Sequence, residues 1–221
     1  MDLVGGNWGR NTKHQYYLSQ PVHTFYGDID GDGSEEIVEA FEEPGTGKLR
    51  PWRSLDVMAR AMPWLLQRFP SHAAYSTADV DELLGDAKAK MRHVTVNSFE
   101  STVFLKRGER FESCPLPIEA QFAPVFAICA ADFDGDGNQD LFLAQNFFGP
   151  DPDTSAYDGG QGLLLKGDGG GNFRAVSSTE SGIAIYGEQK GCAACDYDHD
   201  GRMDLIVTQH GAATRLFRNR R

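Results

Sequence analysis

Asp132, Asp134, Asp136, Asn138 and Asp140 place five oxygen-bearing side chains at alternate positions within nine residues. Gly137 sits among them, where a tight loop needs a backbone turn that other residues resist. Carboxylates crowded in this way repel one another unless a cation neutralises them. A hard cation suits them, since Ca²⁺ takes about six to eight oxygens at about 2.3–2.6 Å. The same grammar occurs twice more, as Asp28, Asp30, Asp32, Ser34 and Glu36 around Gly33, and as Asp196, Asp198, Asp200, Arg202 and Asp204 around Gly201. In each loop the side chains at positions 1, 3 and 5 can point to one centre. Position 7 offers a backbone carbonyl (Ser34, Asn138, Arg202), and position 9 a carboxylate (Glu36, Asp140, Asp204). Donor sets made only of oxygen favour Ca²⁺ over zinc or copper, so about three Ca²⁺ sites are expected. An EF-hand is set aside. Glu39 meets its twelfth position in the first loop, but Leu143 and Val207 stand there in the others, and no loop has helical flanks.

The elements that must hold these loops read as strands. VHTFYGD (22–28) enters the first loop and EIVEAFE (36–42) leaves it; VFAICAAD (125–132) and DLFLAQN (140–146) flank the second; KGCAACDY and DLIVTQH flank the third. All are short, apolar and rich in β-formers. Between them lie HVTVNSF, TVFLKRG and RFESCPL, a hairpin of GLLLKGD and FRAVS around GGGN, and a closing ATRLFRN. Residues 54–92 differ. Leu55, Met58, Ala59, Met62, Leu65, Leu66 and Phe69 fall at helical spacing. Pro63 kinks that helix or starts a second one, and Ser76 or Thr77 caps a further helix carrying Val80, Leu83, Leu84, Ala87 and Met91. This span is expected to be a helical insertion. A polar loop is expected over 13–20, and a long one over 147–161.

Spacing turns the loops into a repeat. Asp132 to Asp196 is 64 residues, and Asp28 to Asp132 is 104, or 65 once the insertion is set aside. That length suits one four-stranded propeller blade. VFLKRGERF, LLLKGDGGGNF and RLFRNRR echo one another at corresponding places, and Met1-Asp2-Leu3-Val4 matches Met203-Asp204-Leu205-Ile206. The fold expected is mainly β: a β-propeller fragment of about three four-stranded blades over 1–221, with the α-helical insertion 54–92 within it, read as a piece of a longer propeller.

Composition bounds the partners. The 221 residues carry a formal net charge of −11, concentrated in the loops. Three Ca²⁺ would leave about −5, which argues against nucleic acid. No apolar run reaches the length of a membrane span, and MDLVGGNWGRN lacks the pattern of a signal peptide. Cys192 and Cys195 form a C-x-x-C on a strand, where positions three apart face opposite ways; they are expected to be small packing residues, with a redox pair or a zinc half-site as the alternative.

The loops Asp132–Leu141 and Asp196–Leu205 resemble the D-x-D-x-D-G-x-x-D-L calcium loop of FG-GAP/VCBS repeats, the integrin-type propeller blades. GNWGRNT (6–12), LLQRFPSHAAY (65–75), PLPIEAQFAPVFA (115–127) and NFFGPDPDTSAYDGGQGLLLKGDGGGNF (146–173) are similar to the later part of large bacterial VCBS-repeat proteins, often carrying ASPIC/UnbV-type regions. Departures are Glu36 at position 9 and His199 at position 4, where the other loops have Gly31 and Gly135. The resemblance implies Ca²⁺-held blade loops, a secreted, periplasmic or cell-surface location, and an interaction or scaffolding role toward a protein or carbohydrate ligand. Phe147, Phe148 and Tyr157 are candidate contacts, and open sheet edges invite self-association or pairing with missing blades. A propeller-based polysaccharide lyase or hydrolase is the alternative, with Asp151, Asp153 and Asp158 as its spare acids. No nucleophile motif is present, and a non-enzymatic role is expected.

Overall fold

The structure, a computed structural model, describes residues 1–15, 20–150 and 154–220. Its strands are β1 Leu3–Gly5, β2 Val22–Gly27, β3 Glu36–Glu42, β4 Leu49–Pro51, β5 Arg92–Val96, β6 Thr102–Arg107, β7 Arg110–Pro115, β8 Val125–Ala131, β9 Asp140–Gln145, β10 Leu163–Gly167, β11 Phe173–Val176, β12 Gln189–Cys195, β13 Asp204–Gln209 and β14 Ala212–Phe217. The helices are α1 Leu55–Ala61, α2 Leu65–Arg68, α3 His72–Ser76, α4 Val80–Leu84 and α5 Ser178–Ser181, with a 3₁₀ turn over Gly85–Lys90. Residues 16–19 of the expected polar loop and 151–153 of the long loop lie outside the described residues. The chain divides into two compact units, one of Met1–Gln15 with Phe99–Arg221 and one of Tyr16–Ser98.

The first unit holds three antiparallel sheets, ordered β1-β6-β7, β8-β9-β10-β11 and β12-β13-β14. They pack face to face as propeller blades do. β9 shows why: all six of its residues are buried. Successive side chains of a strand point to opposite faces. Leu141 and Leu143 therefore enter one core with Val103 and Leu105 of β6, while Phe142 and Ala144 enter another with Leu205 and Val207 of β13 and with Ile183 and Ile185. A strand buried on both faces needs an unbroken apolar run, and LFLA supplies it. The architecture is mainly β and propeller-like.

The three sheets are not the three that the acidic loops imply. The first acidic loop belongs to the second unit, whose sheet runs β4-β3-β2-β5. There the fourth strand pairs with β2 rather than β4, so this sheet is not a blade-like meander. The helices between β4 and β5 return the chain to the far edge. They also supply most of this unit's core: Met58, Met62, Leu65, Leu83 and Leu84 pack with Phe25, Val38 and Ala40 of the sheet. α1 ends before Pro63 and α2 begins after it, as a ring without an N–H requires.

Neither Ser76 nor Thr77 caps α4. Their hydroxyls turn back to the carbonyls of Ala73 and Ala74 in the last turn of α3. Asp79 takes the role in a full capping box: its carboxylate accepts the Glu82 N–H at 2.8 Å, and Glu82 accepts the Asp79 N–H at 2.9 Å.

Candidate metal centres

Each acidic loop joins the paired strands β2–β3, β8–β9 or β12–β13 and is wound by its own first carboxylate. Asp132 Oδ1 accepts the Gly135 N–H at 2.7 Å and the Asp136 N–H at 3.1 Å, and its Oδ2 accepts the Gly137 N–H at 2.9 Å. Asp28 does the same for Gly31 and Gly33 at 2.6 and 3.1 Å. Asp196 holds Asp200 and Gly201, both at 3.0 Å. The fifth position then bonds the N–H of the seventh: Asp32 to Ser34 at 2.7 Å, Asp136 to Asn138 at 2.9 Å and Asp200 to Arg202 at 3.0 Å. Left-handed backbone is needed twice per loop. Gly31 and Gly33, and Gly135 and Gly137, provide it; in the third loop His199 (φ 60°) precedes Gly201 (φ 86°).

This winding brings carboxylates together. Single oxygens of Asp28, Asp30 and Asp32, of Asp132, Asp134 and Asp136, and of Asp196, Asp198 and Asp204 lie within 4.8 Å of one another in each set. Such a separation lets one cation at about 2.3–2.6 Å touch all members of a set. The sets differ from the expected ligand list. Asp200 is not grouped with Asp196, Asp198 and Asp204, and neither Glu36 nor Asp140 joins the acids of its own loop. The side chain of Arg202 pairs with Asp200.

The ninth position has a second task that spacing alone did not reveal. Asp140 is 2% exposed and Asp204 1%. Asp140 Oδ2 accepts the Phe133 N–H within the loop at 3.0 Å, and Oδ1 accepts the N–H of Gly167 on β10 at 2.9 Å. Asp204 bonds Tyr197 at 3.0 Å and Asn219 at 2.7 Å in the same way. Glu36 bonds Ile29 at 2.8 Å. Asp2 accepts the N–H of Lys106 at 2.8 Å, which gives it the place of Asp140 and Asp204 in the first sheet. Asp140 and Asp204 thus tie loop, second strand and third strand together. Burial pushes the Asp140 carboxyl above its usual range, against the pull of the Gly167 and Phe133 N–H groups. At Asp136 the hydrogen bond from Lys166 holds the carboxyl below that range.

The donor chemistry fits a hard divalent cation. The converging groups are carboxylates, carried on loops whose turns are held by their own side-chain-to-backbone hydrogen bonds. Asp198 Oδ1 is buried and has no hydrogen-bond partner among the described residues, and a buried anionic oxygen in that state is costly. An ion held by Asp196, Asp198 and Asp204 would satisfy it.

The cysteines pair differently from the C-x-x-C spacing. Cys192 on β12 meets Cys129 on β8, and both pack against the core between the second and third sheets. The hydrogen bond to Cys129, followed by burial, pushes the Cys192 thiol up. Cys195 is exposed.

At the sheet ends away from the second and third loops, Phe147 bridges to Tyr157. Trp8 packs on both, with ring centroids 5.6 and 5.1 Å apart. Lys190 Nζ lies 3.3 Å from the ring centre of Phe126. Phe147 and Tyr157 are thus partly committed to packing, whereas Phe126 and Phe148 are exposed. Asp158 is described; Asp151 and Asp153 lie outside the described residues.

No helix among the described residues is long and apolar enough to cross a membrane. No curated protein matches the chain. Over residues 132–207, from the head of the second acidic loop into the second strand of the third sheet, the chain matches the family of FG-GAP-like repeats.

Proposed function

We propose that the chain is a β-propeller-type interaction module whose acidic loops bind Ca²⁺, and that it works by binding rather than by catalysis. The observation that carries this is the third loop. There three carboxylates converge within 4.8 Å, and one of them, Asp198, buries an oxygen that has no protein partner among the described residues. The FG-GAP-like match covers this loop and the second. Asp28, Asp30 and Asp32, and Asp132, Asp134 and Asp136, supply the other two centres. Ser34, Asn138 and Arg202 offer their backbone carbonyls at position 7, while Glu36, Asp140 and Asp204 brace the loops. The FG-GAP-like match supports a secreted, periplasmic or cell-surface setting. Binding energy gained only in the folded state adds to stability. The partner, a protein or a carbohydrate, would meet the aromatic surface of Trp8, Phe126 and Phe148. Among the described residues the sets of three acids that converge are those of the loops, which favours binding over hydrolysis.

Thermal unfolding in millimolar Ca²⁺, in excess chelator and in Mg²⁺ tests the reading, on material taken from a sizing column. A rise in Tm specific to Ca²⁺ is expected. No shift would make the loops solvated turns and remove the metal from the account. The elution volume reads whether open edges such as β14 pair copies of the chain.

A further inference from the structure

In the second loop a cation from the protein already occupies the acidic centre. Lys166, on β10, pairs with Asp134 and lies 2.9 Å from Asp136. In the third loop Arg218, just past β14, pairs with Asp198. Strand register makes the two equivalent. Leu141 stands opposite Leu165 and Leu205 opposite Phe217, so the next residue on each third strand, Lys166 or Arg218, faces the ninth-position acid, Asp140 or Asp204. In the first sheet Leu3 stands opposite Phe104, so the matching residue is Leu105, which is buried in the core. The basic residue thus accompanies the acidic loop in both the second and the third sheet.

We propose that Lys166 and Arg218 are built-in counter-ions that set the Ca²⁺ affinity of the second and third loops. Lys166 must swing out to admit the metal, whereas Arg218 holds Asp198 Oδ2, leaves Oδ1 open and opposes the ion by its charge. This rests on the Ca²⁺ reading above. Lys166 takes Oδ2 of both Asp134 and Asp136, whose Oδ1 atoms accept the N–H groups of Asp136 and Asn138, so an ammonium and a divalent ion compete for the same remaining oxygens. Both basic side chains are partly exposed, so leaving costs only a solvated ion pair. The pair therefore lowers affinity without abolishing it.

The test is an NMR titration of the whole chain with Ca²⁺ alone, following the backbone N–H of Gly137 for the second loop and of Gly201 for the third. Lys166→Met is expected to tighten the Gly137 response roughly fivefold and leave Gly201 unmoved, and Arg218→Met to do the reverse. Lys106→Met, on the first sheet, should change neither. In chelator, Lys166→Met should lower Tm slightly, and in saturating Ca²⁺ that loss should vanish. A Gly137 midpoint that is unchanged or weaker in Lys166→Met overturns the proposal while leaving Ca²⁺ binding in place. If Ca²⁺ moves neither amide in wild type or variants, the metal reading fails and this proposal falls with it.

Discussion

Asp140 Oδ1 accepts the backbone N–H of Gly167 at 2.9 Å, across 27 residues of chain. Gly167 is required there, because a Cβ at that position would collide with the Gln139 carbonyl. The bond fastens the third strand of the sheet to the end of the acidic loop, and its partners are a carboxylate and a backbone amide. Asp140→Ala leaves two backbone N–H groups without their acceptor. Each charge-assisted bond is worth about 1.5–3 kcal/mol; the cost of burying the carboxylate offsets part of the sum, so a loss of about 3 kcal/mol is expected. Asp140→Asn keeps one acceptor and should lose about half of that. Urea unfolding should show both losses in chelator as well as in Ca²⁺. Asp134→Asn gives the contrast: about 0.5 kcal/mol in chelator, since Asp134 offers an exposed pair with Lys166 and a 3.2 Å bond from the Asp136 N–H that an asparagine oxygen can still accept, and a larger deficit in Ca²⁺. An Asp140→Ala deficit seen only in Ca²⁺ would make Asp140 a ligand and not a brace.

His199 occupies a place that the backbone asks a glycine to fill. Its φ is 60°, where Gly31 and Gly135 have 84° and 75° at the same loop position. Left-handed backbone costs a residue with a Cβ about 1–2 kcal/mol, and glycine gives back part of that through the entropy of the unfolded chain. The ring is exposed, so its removal opens no cavity. His199→Gly should stabilise the chain by about 0.5–1 kcal/mol, read as a higher urea midpoint at unchanged slope. Gly135→His should cost a similar amount. A destabilised His199→Gly would show that the imidazole makes a contact that matters.

Local chemistry was readable and distant chemistry was not. The acidic loops announce themselves because Asp28, Asp132 and Asp196 wind residues no more than five positions away. The strands beside them and the helical stretch near Leu55–Phe69 carry their own periodicity. The clamps of Asp140 and Asp204 reach partners on third strands, and sequence spacing gives no hint of which amide they meet. The echo of FLKRG with LLKGD places Lys106 beside Lys166, yet register places Leu105 there. Only strand pairing fixes such a one-residue offset. The separation of Tyr16–Ser98 as its own unit depends on β5 pairing with β2, again a long-range choice. Cap selection failed locally: Ser76, Thr77 and Asp79 all qualify by type, and the reciprocal bond with Glu82 decides for Asp79.

The cysteines offer a test of sheet packing. Cys195 is exposed, whereas Cys192 is half-buried against Cys129, and its raised thiol pKa keeps the reactive thiolate scarce. Under native conditions a maleimide should modify Cys195 first and Cys192 far more slowly, read by peptide mass spectrometry. Cys195→Ser should abolish the fast phase. Equal rates at Cys192 and Cys195 would mean that β8 and β12 do not seal the pair between the second and third sheets.

Acid should weaken the second unit through His23. Its ring stacks on His93, with centroids 5.1 Å apart and Nδ1 2.9 Å from the partner's Nε2. Burial, then the neighbouring His93, lowers the His23 pKa, and Glu42 opposes them. The folded chain therefore prefers neutral His23, while the unfolded chain takes up a proton near the ordinary value of about 6.5. Where the unfolded state binds more protons, stability rises with pH. This contribution is complete above about pH 6.5 and is lost as pH falls through that value toward the lowered folded pKa. The β2–β5 pairing should loosen first, because both rings lie across that strand pair. Between pH 7.5 and 5.5 the Tm of the wild type should fall more steeply than that of His23→Gln, and protection from hydrogen exchange at Thr24 and Val94, taken relative to the intrinsic rate at each pH, should fall in the wild type alone. Parallel pH slopes for the two proteins would clear His23 of the effect and leave the stacked pair a packing contact with no bearing on acid sensitivity.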